Sequence, residues 1–203
     1  MVLKIVTAPN PALSSITKPV NGINAGVIKI INQMKEALNK ASDPVGVGLA
    51  APQIGKPLRI FIAKPTDKSE ILVFINPKIT TNKQLPTTNI RKLEVAHLPV
   101  NSSAGEVGRN SQKSKGSKLE GCLSLPTIWG SVLRTPSLTL TFLDEKGVPH
   151  KQKFSNFLAI IIQHEMDHLD GVLFPKRVLE QKGTLYKSHK NKKGEDEFEE
   201  IEI

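Results

Sequence analysis

The sequence predicts one well-cored domain of helices and short antiparallel strands. Three stretches carry that expectation. Asn24–Ala41 repeats apolar residues at helical spacing, Ser137–Leu143 alternates apolar and polar residues, and Asn156–Asp170 is apolar nearly all round. A chain of 203 residues can bury one such core, with at most an appendage. Its 38% hydrophobic and 23% charged residues fit a globular protein rather than a disordered one.

The first helix follows from Val27, Ile31, Met34, Leu38 and Ala41, with Lys29, Lys35, Glu36 and Lys40 between them. Asp43-Pro44 ends it. A glycine-rich segment, Gly46–Gln53, comes next. Leu58–Ala63 and Ile71–Asn76 are rich in β-branched residues and predict two short strands. Thr80–Lys118 is the least regular region. Leu93–Leu98 predicts a short strand, and Asn101–Lys118, mostly Asn, Ser, Gly and Lys, reads as a mobile surface loop. An ordered stretch resumes at Glu120–Pro126. Ser137–Leu143 is expected as a half-buried strand, turning at Glu145-Lys146-Gly147 into Lys151–Phe154 to complete a hairpin. Ser155 is placed to cap the last helix and Gly171 to end it. A helix so apolar is expected to be central and buried. Pro175 blocks easy continuation. From Lys182 a basic run and then an acidic one predict a solvated, partly helical tail. The domain is therefore drawn over residues 1–180, with an insertion at about 101–118 and a charged, flexible tail over 181–203.

Composition excludes several classes. The longest purely apolar stretch, Phe157–Ile162, is far too short to span a membrane, and Met1–Pro11 does not read as a signal peptide. One cysteine permits no internal disulfide and suits a reducing compartment. A soluble, cytoplasmic protein is expected, with neither DNA nor a membrane as partner. The net charge of +9 is unevenly placed, because Glu195, Asp196, Glu197, Glu199, Glu200 and Glu202 crowd the C-terminus without a base among them. The basic remainder is either a solvated lysine-rich surface or a match for a polyanion such as RNA, and few aromatics are present to stack on bases.

The chemistry lies in Gln163-His164-Glu165-Met166-Asp167-His168. Residues four apart sit about 40° apart around a helix and one turn along it, so both imidazoles reach one metal ion. Glu165 can reach a water on that ion without taking a ligand position, which is the mechanical sense of His-Glu-x-x-His. Buried without a metal, the two imidazoles and two carboxylates would be costly. Catalytic sites normally use three protein ligands. Cys122, the sole thiol, lies in a tight corner; alone it would read as a small buried hydrophobe. Beside His164 and His168 it reads as the third ligand, and a thiolate suits Fe(II) or Zn(II). Gly46–Gln53 is either a plain helix-to-strand connection or a place where backbone approaches a ligand, with the Gln53 amide offered to a developing oxyanion.

Gly46-Val47-Gly48-Leu49-Ala50-Ala51-Pro52-Gln53, Glu120-Gly121-Cys122-Leu123-Ser124 and Gln163–Leu169 resemble, in order, the three signature motifs of the peptide deformylases. The opening around Pro9-Asn10-Pro11-Ala12-Leu13 is similar as well. The resemblance covers roughly Val2–Lys78 and Leu119–Phe174. It implies an α+β fold, with antiparallel sheets packed around the metal-bearing helix. It implies one divalent ion on Cys122, His164 and His168, usually Fe(II), for which Zn(II), Ni(II) or Co(II) can substitute. Glu165 would move the proton. The Gln53 amide and the Leu123 N–H would stabilise the oxyanion, and Gly48 would contact substrate backbone. Phe157, Ile160 and Ile161 would form the methionine pocket. The substrate would be an N-formylmethionyl nascent chain and the product formate, with transient ribosome contact consistent with the basic body. An organellar mature form is the other compartment consistent with this reading.

The chain departs from the family pattern in places. The span from Pro77 to Leu119 is long, and Trp129 stands where many members carry a peptide-binding arginine. Arg134 is expected to pair with Glu120. A metallopeptidase of other specificity would need a third His or Glu ligand after His168 to match the common types. A non-catalytic module would leave Gln53 and Glu165 without a use.

Overall fold

The computed structural model describes residues 3–42, 44–80, 119–192 and 194–202. Helix α1, Ala25–Lys40, starts where the Asn24 side chain accepts a hydrogen bond from the Val27 N–H at 3.1 Å. Its buried face, Val27, Ile31, Met34, Ala37 and Leu38, is the one its spacing predicted. That face packs on a five-stranded antiparallel sheet of order β1-β2-β3-β6-β7, formed by Gly48–Ala50, Ile60–Ala63, Leu72–Ile79, Ser137–Leu143 and Pro149–Ser155. Strand β2 is buried on both faces. Ile60 and Ile62 meet the α1 core, while Phe61 and Ala63 turn to the opposite side.

On that side lies helix α2, Asn156–Leu169, over a cluster that includes Phe61, Phe74, Leu138, Leu140 and Phe154. Phe61 and Phe74 stack with ring centroids 4.5 Å apart. A second antiparallel sheet, order β4-β5-β8-β9, comprises Leu119–Cys122, Leu125–Ser131, Leu185–Lys190 and Asp196–Glu200. A short helix α3, Phe174–Glu180, joins it in a smaller core with Cys122, Val178 and Leu185. The architecture is the α+β arrangement of antiparallel sheets around a central helix. Among the described residues no helix is long and apolar enough to cross a membrane.

Several expectations change. Ser155 occupies the cap position, but its side chain makes no capping bond; the Asn156 N–H instead donates to the Pro136 carbonyl at 2.9 Å, so β7 feeds straight into α2. The helix is buried only from Ala159 onward, and Phe157 in its first turn is 39% exposed. As expected, α2 does not continue through Pro175, which instead sits in the first turn of the separate helix α3, where its missing N–H costs nothing. The charged stretch after Lys182 is not helical. It forms the β8–β9 hairpin, with Lys187 opposite Glu199 and His189 opposite Glu197. The predicted strand Leu93–Leu98 and loop Asn101–Lys118 lie outside the described residues.

Candidate active site

Strands β4 and β5 are joined through a two-residue turn, Leu123-Ser124, with Cys122 facing Leu125 across it. The turn delivers Cys122 to the face of α2 that carries His164 and His168. Cys122 Sγ lies 3.2 Å from His168 Nε2, and one ligand atom from each of Cys122, His164 and His168 falls within 4.8 Å of the others. Thiolate and imidazole donors at this spacing fit a single divalent ion of borderline softness. Cys122 and His168 are buried and His164 half-buried.

The outer nitrogen of His164 is oriented. Its Nδ1 lies 3.1 Å from Glu120 Oε2. Because an ionised carboxylate only accepts, Nδ1 carries the hydrogen and Nε2 is left for a metal. Burial alone would raise the Glu120 pKa, but hydrogen bonds from Arg134 and His164 outweigh it and bring the carboxyl down to about 2. Arg134 grips Glu120 with two parallel bonds, 2.8 and 2.9 Å, so the expected pair is present. Arg134 also donates to Asp167 Oδ2 at 2.6 Å, and Arg177 of α3 donates to Asp167 Oδ1 at 2.8 Å. Sequence reasoning missed Asp167 and Arg177. The signal was present, a buried Asp on the metal helix that needs a cation, but its partner sits on a helix hidden behind Pro175.

Glu165 is 3% exposed, and its Oε2 has no hydrogen-bond partner among the described residues. Burial, opposed by the charge of His164, raises its pKa to about 7. A carboxyl poised there can both take and return a proton at neutral pH. Gly48 lies directly over it. A Cβ built at Gly48 would overlap the Glu165 carboxylate and come within 2.9 Å of Ile161 Cγ2. The bare backbone at Gly48 makes room for the Glu165 side chain.

Gln53 is 1% exposed in a 3-10 turn over Ala51–Ile54. Its Oε1 accepts from the Ala50 N–H at 2.8 Å, which turns the amide nitrogen toward Cys122 Sγ at 3.5 Å and Ser124 Oγ at 3.2 Å. Ser124, which the sequence reading left without a role, thus helps orient the amide. Leu123 is the first residue of the turn, so its N–H lies outside the β4–β5 ladder. Phe157, Ile160, Ile161 and His164 fall at i, i+3, i+4 and i+7 on one side of α2. Phe157 and Ile160 belong to no core cluster, while Ile161 is 3% exposed.

A His-Glu-x-x-His helix with a thiolate from a neighbouring turn and a buried amide beside it defines a metal-dependent hydrolase. The sequence profile of the polypeptide deformylase family matches residues 2–183. A peptide deformylase of Chlorobaculum parvum is 33% identical over 183 residues, covering 88% of this chain and 80% of that protein. Peptide deformylase 2 of Vibrio vulnificus is 36% identical over 174 residues, covering 85% and 84%. The crystal structure of a Synechococcus elongatus peptide deformylase in complex with actinonin superposes with a TM-score of 0.64 at 30% identity, covering 89% of this chain and 82% of that one. The chain belongs to the peptide deformylase family. It is an amide hydrolase with a single catalytic metal, and it removes the formyl group of N-formylmethionine from newly synthesised polypeptides, releasing formate.

Proposed function

We propose that Cys122, His164 and His168 are the metal ligands and that Glu165, Gln53 and Leu123 carry the hydrolysis. The observation behind this reading is the convergence of the three donor atoms within 4.8 Å, beside an unpartnered buried carboxylate oxygen. A divalent ion on these ligands supplies Lewis acidity toward the formyl carbonyl and toward water. Fe(II) is the proposed ion in the cell, with Zn(II), Ni(II) or Co(II) as substitutes, since all accept a mixed thiolate and imidazole set.

Glu165 Oε2 takes the proton from the attacking water and returns it to the amine nitrogen as the C–N bond breaks. The Gln53 amide and the Leu123 N–H donate to the carbonyl oxygen as it gains charge, and removing one such donor typically costs about 10²–10³ in rate. Among the described strands, β1 and β4 stand at the edges of their sheets, β1 beside Glu165 and β4 carrying Cys122. An extended peptide pairs with both in this reading, its backbone passing beside Gly48. The apolar stripe Phe157, Ile160 and Ile161 takes the methionine side chain.

The catalytic unit is proposed as residues 1–180, acting in the cytoplasm. Its excess of lysine and arginine would favour transient contact with ribosomal RNA. The role of Glu165 is tested by Glu165→Gln. The variant should bind metal normally yet release formate about 10²–10⁴-fold more slowly. Turnover at the parental rate would refute the assignment.

A further inference from the structure

The opening of the chain, Leu3 to Thr17, joins neither sheet, yet it bonds to each of the three segments that carry the site. The Val6 N–H donates to the Gln53 main-chain carbonyl at 2.8 Å, and the Ala8 N–H donates to the Ser124 carbonyl at 3.0 Å. Farther along, the N–H and the hydroxyl of Thr17 both donate to the carbonyl of Leu169, the residue after His168, at 3.0 and 2.8 Å. Leu3 and Ile5 pack against the core under α1, and Leu13 is 1% exposed in the 3-10 turn Pro11–Ser14. The stretch that carries Val6 and Ala8 is therefore anchored at both ends. Gln53 lies in the turn that follows β1, in the five-stranded sheet, and Leu123 lies in the β4–β5 turn of the four-stranded one. No described strand is shared by the two sheets, so neither ladder sets the spacing of the two turns. The Gln53 amide also donates to Ser124 Oγ at 3.2 Å, but that bond joins two rotatable side chains, whereas Val6 and Ala8 hold the main chains themselves.

We infer that Val6 and Ala8 are positioning residues for the reaction: through their main-chain N–H groups they set the separation of the Gln53 amide from the Leu123 N–H. This rests on the oxyanion roles proposed for Gln53 and Leu123. Two N–H groups, two residues apart on one chain, grip two turns that belong to different sheets, with one bond to each. Releasing either bond lets one donor drift relative to the other. A misplacement of about 1 Å costs about 10²-fold in rate. The donors engage the carbonyl oxygen most strongly as it gains charge, so the loss falls on kcat rather than on KM.

The test removes one donor at a time and leaves every side chain in place. Amide-to-ester replacement at Val6, or at Ala8, puts an oxygen where the N–H stood. Formate release from formyl-Met-Ala-Ser is then measured in the wild-type and Gln53→Ala backgrounds. Each ester should lower kcat about 10–10²-fold with KM nearly unchanged, and bound metal should stay at the wild-type level. In Gln53→Ala protein the Val6 ester should cost less than about two-fold, because the donor it positions is gone. Full kcat in both esters would overturn the inference. So would an equal loss from the Val6 ester in Gln53→Ala protein, which would mark a general loosening of the fold. Wild-type turnover by Gln53→Ala itself would instead overturn the donor reading on which the inference rests. Should one ester fail to fold, as judged by thermal unfolding, the other decides through the same split between kcat and KM. Failure of both to fold would show that the bonds serve the fold alone and would overturn the positioning role.

Discussion

Glu120 serves two donors at once. Its carboxylate accepts both bonds from Arg134 and faces the Nδ1 of His164. Such an acceptor behind a ligating imidazole fixes its tautomer and raises its basicity. Glu120→Gln should therefore weaken binding of a probe ion such as Co(II) by about 10–100-fold, measured by competition with a chelator. Unchanged affinity would show that the carboxylate does not tune the ligand. The residues at this scale differed in legibility. His164, Glu165 and His168 were readable because their chemistry depends only on spacing along one helix. Gln53 and Cys122 could be named as candidates, but their convergence depends on the β4–β5 turn and the 3-10 turn over Ala51–Ile54. Asp167 carried a signal as an acid on the metal helix that needs a cation, but its partner Arg177 was not readable, since an ion pair between two helices leaves no periodic trace.

The elements show why the centre is held firmly. Helix α2 is stopped by Gly171 at φ 69°, and the Val172 N–H donates back to the Asp167 carbonyl at 2.8 Å. A Cβ on Gly171 would meet the Ser14 carbonyl oxygen at 2.7 Å, so only glycine fits where the N-terminal segment crosses. Thr17 then fastens that segment, donating through its hydroxyl to the Leu169 carbonyl at 2.8 Å. On the opposite side, the buried sequence Glu120–Arg134–Asp167–Arg177 binds β4, the chain leading into β6, α2 and α3 together. Removing Arg134, which both carboxylates share, would leave Glu120 with only His164 beside it, and breaking a buried pair in this way costs about 3–5 kcal/mol. Strong periodicity made α1, β6 and α2 legible nearly to the residue. Strands β8 and β9 were not, because charged side chains hide the two-residue alternation, which shows only once Lys187, His189 and Lys190 face Glu199, Glu197 and Asp196.

At the scale of the whole molecule, the hairpin changes how the charge is read. The acidic C-terminal residues sit opposite the bases of β8, and Lys190 lies 2.8 Å from Asp196. They do little to offset the remaining lysines and arginines, so the proposed ribosome contact stands on the rest of the surface. Phosphate-driven binding must weaken steeply as salt rises. Co-sedimentation with ribosomes should show that decline between low and physiological salt, and binding that is absent or insensitive to salt would end the proposal.

The central claim is that one ion on Cys122, His164 and His168 supports deformylation. The direct measurement is anaerobic formate release from a formyl-methionyl peptide, with iron quantified on the same samples of wild-type and Cys122→Ala protein. Release should rise in proportion to bound iron up to one ion per chain, and the variant should hold no tight ion and release no formate. Full activity in Cys122→Ala, or in protein stripped of metal, would contradict the account.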